Sequence, residues 1–273
     1  MKKKYLALFL AAAMSCSLLA GCGGGTTEPA VEGTEENTEA LVYAVEAGSA
    51  GEAVAAEKGF KYNSVASQGD ALMEVASGTS DAAIIDLLMA GAMIGEDTSY
   101  PDLVLGEELT TEEYGAGCRQ ESDLTDYINW VLSVAYADGT MEEIATTYGV
   151  QAALMEQPEV AEPEIAADGD VAYIQGKGTL VVGITNFEPM DYKEEGSDEW
   201  IGFDADMAKL VAEKLGVEIQ FVEIDWDNKI MELDSKNIDV VWNGMTLTPE
   251  VIEAMNCTNA YCNNAQVVVL PGE

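Results

Sequence analysis

Two places in this sequence hold groups able to recognise charge. Residues 82–86, AAIID, form an apolar run that ends on an acid. A carboxylate at the end of a buried strand needs a partner, and a bound cation would serve. The plainer reading makes Asp86 a cap for a helix starting at Leu87. Residues 46–51, EAGSAG, follow a short strand over 41–45 and open a helix. The N–H groups at Ser49 and Ala50 then form a natural anion site, or Ser49 is simply an N-cap. Further on, Asn243, Gly244, Met245 and Thr246 follow another apolar run, and an Asn followed by Gly is sufficient cause for a tight turn.

Other chemistries are closed off. The chain has no histidine, which excludes metal sites built on imidazole, histidine triads and histidine acid–base catalysis. It has no CxxC pair and no phosphate loop of the Walker type, so no metal or cofactor is implied. Cys16 and Cys22 lie near the N-terminus, leaving Cys118, Cys257 and Cys262. Cys257 and Cys262 either pair across a short loop or remain free thiols.

The elements that position these groups are clearest over 178–244. Residues 179–184, TLVVGI, read as a buried parallel strand bounded by glycines. A turn-rich segment over 185–192 follows. A helix then opens with Asp204 as N-cap and Asp206 in its first turn, and Gly216 closes it. Met207, Leu210, Val211 and Leu215 recur at helical spacing and give it one buried face. A strand over 217–222, a helix over 228–233 and a strand over 238–242 complete β-α-β-α-β. That order demands a parallel sheet with right-handed crossovers. Ligands of such sheets bind beyond the carboxyl ends of the strands, here 185–188 and 243–246. In the first half, 112–117 leads into a short strand, and helices over 124–136 and 141–148 are split by Asp138 and Gly139.

Five ordered pieces over 178–270 carry a family resemblance: VVGITNFEPMDY (181–192), GFDADMA (202–208), DWD (225–227), NGMTLTPE (243–250) and NAY (259–261). They resemble the first lobe of the bacterial solute-binding proteins of the polar amino acid type, family 3. Residues 46–52, 78–86, 113–115 and 137–144 resemble the second lobe and terminal helices of the same family. The resemblance implies an α/β, two-lobed periplasmic-binding-protein-like fold of type II, with the halves in circularly permuted order. The second lobe spans 40–150, an acidic linker 151–170, and the first lobe 171–273. A linker of that length can join the family's two ends in cis, since an extended chain covers about 3.3 Å per residue. The alternative is a domain swap between two copies. The permuted ends, near Leu41 and Leu270, are expected to meet at the hinge.

The resemblance also assigns roles. Phe187 would wall the ligand, and Asn243, Gly244 and Thr246 would hold its amino and carboxyl groups. Ser49 and Ala50 would receive a carboxylate, and Asp86 would pair with an α-ammonium. One position departs from the family: Val251 stands where an arginine usually clamps the carboxylate. The chain's sole arginine, Arg119, falls at a position expected to be exposed. Lys229 is the candidate replacement clamp, or one more solvated lysine.

The N-terminus reads as a lipoprotein signal peptide over 1–21. Lys2, Lys3 and Lys4 precede an apolar core too short to span a bilayer comfortably, and Leu19, Ala20, Gly21 and Cys22 resemble a lipobox. Cys22 would carry the lipid, and 22–39 would form a flexible tether. Later stretches offer no transmembrane segment. Twelve basic residues against 50 acidic give a net charge of −38, a surface that repels nucleic acid and anionic lipid. The expected protein is therefore a monomeric, lipid-anchored binding protein on the outer face of the cell membrane. It would capture an amino acid-like solute for an ABC transporter permease, and it would not be an enzyme. A dehydratase-like enzyme and a sensor for a membrane receptor are the alternatives.

Overall fold

Residues 41–272 are described by the computed structural model. The signal peptide, Cys22 and the tether lie outside them. Two five-stranded sheets organise the chain. β1 (Val42–Glu46), α1 (Ala50–Lys58), β2 (Lys61–Val65), α2 (Gln68–Ser77), β3 (Ala82–Asp86), α3 (Leu87–Met93) and β4 (Leu103–Glu108) build the first. β5 (Glu112–Tyr114) crosses to β6 (Gly117–Cys118) in the second sheet, followed by α4 (Leu124–Asp138) and α5 (Thr140–Thr147). After the linker come α6 (Asp170–Lys177), β7 (Thr179–Ile184), α7 (Phe203–Leu215), β8 (Glu218–Glu223), α8 (Lys229–Asp234), β9 (Val240–Val241), α9 (Pro249–Ala254) and β10 (Asn256–Cys257). β11 (Cys262–Asn264) crosses back and β12 (Gln266–Pro271) ends in the first sheet.

The strand orders are β2-β1-β3-β12-β4 and β10-β6-β9-β7-β8. β7 runs parallel to β8 and β9, as the β-α-β-α-β pattern requires. β12 lies antiparallel between β3 and β4, and β6 antiparallel to β9. Each sheet therefore contains a strand delivered by a crossing segment from the other. The two crossings run side by side as the antiparallel pair β5–β11, with Tyr114 opposite Cys262 and Glu112 opposite Asn264. β3 is buried along its whole length, which accounts for its unbroken apolar run.

Four expectations need correcting or refining. Asp204 is not the N-cap of α7. Gly202 is, at φ 126°, and a Cβ there would lie 2.1 Å from the Met190 carbonyl oxygen, so only glycine fits. Asp204 sits inside the first turn and is fully buried. The ends near Leu41 and Leu270 do not meet at the hinge. Tyr43 pairs with Ala82 and Val269 with Ala83, so both ends lie one strand apart at the edge of the first sheet remote from β5 and β11. The acidic linker over 151–170 is tied to the fold in its first half: Met155 N donates to Tyr261 O (2.8 Å), and Val160 N to Ser133 Oγ (3.0 Å). Finally, Arg119 is 8% exposed, not an exposed residue.

The reason for its burial is local. β6 adds beside β9 and carries the next residue over a buried carboxylate, Asp239. The Arg119 guanidinium donates to the Ile238 carbonyl (2.8 Å) and to Asp170 (3.0 Å), and reaches Asp239 at 3.5 Å. Lys177 completes the pairing of Asp239 at 2.6 Å. Five planar donors suit this cluster of carbonyls and carboxylates better than an ammonium would. Cys118, Cys257 and Cys262 are free thiols, and burial pushes the Cys118 thiol up to about 12. Among the described residues, no helix is long and apolar enough to cross a membrane.

Breaking a buried, hydrogen-bonded ion pair by removing one partner costs about 3–5 kcal/mol. Arg119→Ala should therefore lower unfolding free energy by about 3 kcal/mol, read as a fall in the urea midpoint at constant m-value. A loss under about 1 kcal/mol would show that the crossing at β6 does not depend on this cluster.

Candidate functional site

A cavity of about 690 Å³ lies where the carboxyl ends of β1 and β3 face those of β7 and β9. That is the size range of small-molecule sites. All eight residues singled out from the sequence line it. Ser49, Ala50 and Asp86 come from the first-sheet side, and Phe187, Lys229, Asn243, Gly244 and Thr246 from the second. Segments about 100–200 positions apart in sequence thus meet at one place because β5 and β11 bring the sheets together.

The Phe187 ring packs against the backbone at Gly244. A Cβ on Gly244, at φ 57°, would stand 2.5 Å from Phe187 Cε1. Glycine is thus required twice over, by conformation and by space. Phe187 also meets Tyr114 edge to face, with centroids 6.3 Å apart. Asn243 is fixed by a reciprocal pair with Thr185: its Oδ1 accepts from Thr185 N (2.9 Å) and its Nδ2 donates to Thr185 Oγ1 (2.7 Å).

The acidic side holds two buried carboxylates. Asp86 accepts from Tyr114 Oη (2.7 Å), Gln266 Nε2 (3.0 Å), Gln68 Nε2 and Asn264 Nδ2. Its side chain caps nothing in α3. Burial, with the Glu112 charge second, raises its pKa to about 7. Glu46, at the end of β1, is 3% exposed, and its Oε1 has no hydrogen-bond partner. Burial first and the Asp86 charge second raise its pKa to about 8. Sequence reasoning missed Glu46 as a site residue. Its signal was the one that marked Asp86: an acid closing an apolar strand at the carboxyl end of a parallel sheet.

The donor side is already occupied. Ser49 N donates to Glu46 O (3.2 Å), and Ser49 Oγ caps Glu52 N (3.1 Å). The Glu52 carboxylate reaches back to Gly48 N (2.8 Å), so the helix carries its own anion. Gly244 N donates to Asp204 (2.6 Å), and Thr246 Oγ1 to Glu112 (3.0 Å). Lys229 is buried, with its ammonium on the carbonyls of Gly48 (2.8 Å) and Trp226 (3.2 Å) and 4.8 Å above the Trp226 ring. It is not a solvated lysine, and it joins the second sheet's α8 to the loop that opens α1. Among the described residues, no cluster of three or more acids or thiols is placed to hold a metal ion.

Glu46 and Asp86 both have folded pKa values above their ordinary ones, as does Asp204, raised to about 7 by burial. Between about pH 4.5 and 8 the folded chain therefore holds more protons than the unfolded chain, and stability falls as pH rises. Tm of the ligand-free protein should drop by at least about 4 °C between pH 5 and 8. Glu46→Gln should flatten that slope, and a profile unchanged by the substitution would contradict the assignment.

Residues 180–273 match the family described as bacterial extracellular solute-binding proteins, family 3. The arginine-binding extracellular protein ArtP of Bacillus subtilis (strain 168) is 36% identical over 95 residues, which is 34% of this chain and 36% of ArtP. The L-cystine-binding protein TcyA of the same strain is 35% identical over 106 residues, 38% of this chain and 39% of TcyA. The crystal structure of an ancestral cyclohexadienyl dehydratase is 35% identical, with a TM-score of 0.30, over 33% of this chain and 37% of that one. The matches thus span less than two-fifths of each relative.

Proposed function

We propose that this chain is the substrate-binding component of an ABC importer, holding an amino acid-like polar solute between its two sheets. The observation that carries this reading is convergence. Eight residues chosen from two separated segments line one cavity, at the carboxyl ends of strands in both sheets. The names of the curated relatives, binding proteins for arginine and cystine, agree with it. The two sheets correspond to the two lobes of the family in circularly permuted order, joined in cis by 151–170. The chain is a monomer that binds its solute without turning it over. Cys22 carries a lipid, and 22–39 holds the binding body at the outer face of the membrane, where it meets the permease.

Two measurements test this. In a thermal-shift screen against the amino acids and their amines, a ligand at 100 times its Kd should add about 2.7 kcal/mol of stability. Asp86→Asn should then weaken the hit by at least about tenfold, the scale of one charge-assisted hydrogen bond. A screen with no stabilising compound would sink the reading. For anchoring, the wild-type protein should fractionate with membranes and Cys22→Ala should be released. A variant that stays membrane-bound would remove the lipid from the account.

A further inference from the structure

The cavity is chemically lopsided. Glu46, Glu52, Asp86, Asp227 and Glu250 line it, against one cation, Lys229. Among the acids, one oxygen stands apart. Asp86 takes four donors, close to the acceptor capacity of a carboxylate. Glu46, equally buried, has Oε1 without a hydrogen-bond partner. A buried carboxylate oxygen left unpaired is unfavourable unless something positive comes to it.

Most of the groups that would receive a carboxylate are spent on the protein itself. The Ser49 N–H is on Glu46 O, the Gly244 N–H on Asp204, the Thr246 hydroxyl on Glu112, and the Lys229 ammonium on two carbonyls. The start of α1 faces its own Glu52. Val251, not a basic residue, lines the wall in α9's first turn. The sole arginine is committed to Asp170 and Asp239, away from the cavity. The Ala50 N–H stays open at the start of α1, but that turn already carries the Glu52 carboxylate, so a ligand carboxylate would meet few open donors against a wall of like charge.

We propose that the cavity selects a small organic cation that bears an ammonium and lacks a carboxylate, with Glu46 Oε1 as its direct acceptor. This rests on the binding-protein reading and names its substrate class. The ligand ammonium completes the hydrogen bonding of Glu46, and Asp86, held rigid by its four donors, adds a second negative charge beside it. Phe187 and Trp226 supply apolar surface for an alkyl chain.

The matched pair 1,5-diaminopentane and L-lysine differs by one carboxylate, so calorimetry on the full chain at pH 7.5 isolates that group. The diamine should bind at least tenfold more tightly. Glu46→Gln should weaken the diamine at least tenfold while raising Tm of the ligand-free protein at this pH, because the cost of keeping a buried carboxyl that the unfolded chain ionises freely has gone. A residue that merely supported the fold would not move these two readouts in opposite directions. Lysine binding as tightly as the diamine, or a Glu46→Gln protein that binds the diamine normally, overturns the proposal while leaving the binding-protein reading intact. If neither compound binds and no amino acid does, both fall together. The wild-type comparison holds whether or not the variant folds.

Discussion

Neither sheet is complete without a strand that reaches it from the other. β12 stands between β3 and β4, and β6 beside β9, and each arrives through the antiparallel pair β5–β11. Backbone groups left open in a sheet interior are costly, so the two crossings are obligatory. They also fix which strand ends face each other. The cavity follows from that constraint: two sets of carboxyl-terminal strand ends, each rich in polar groups, are held opposite one another with a space between.

Charge is managed differently at the two sides of the molecule. Far from the cavity, the acids buried around β9 are answered. Asp239 has Lys177 and Arg119, and Asp170 has Arg119 and Lys236. At the cavity, Glu46 and Asp86 are answered by neutral amides, a phenol, or nothing. In a chain with 50 acids and 12 bases, cations are scarce, and where they are spent is informative. Asp170 and Asp239 receive them. The cavity acids are left with neutral donors, and their pKa values rise accordingly.

Much of this was legible before any coordinates. Residues 179–184 are legible as a strand to the residue, because Leu180, Val181, Val182 and Ile184 make a short aliphatic run next to Gly178. Asp86 and Phe187 were placed at the cavity by strand-end logic and motif. What the sequence hid was the direction of side chains whose neighbours are distant in the chain. Asp204 has the composition of an N-cap, yet Gly202 alone tolerates the approach of the Met190 carbonyl, so the helix starts earlier and the acid turns inward. Arg119 looked exposed because the cluster it serves is built from residues 50–120 positions later. Glu46 was passed over because its missing partner is a property of three dimensions, not of its neighbours in sequence.

Lys229 adds a consequence for motion. Its ammonium bridges the Gly48 carbonyl and the Trp226 carbonyl, and Gly48 packs so closely on Asp227 that a Cβ would stand 2.7 Å from the Asp227 backbone. Any separation of the sheets along this seam must strip a buried ammonium from one acceptor before water can replace it. That makes a small barrier of solvation rather than of covalent geometry. Lys229 thus ties α8 to the loop that opens α1 at the wall of the cavity, through solvation and not through a covalent link.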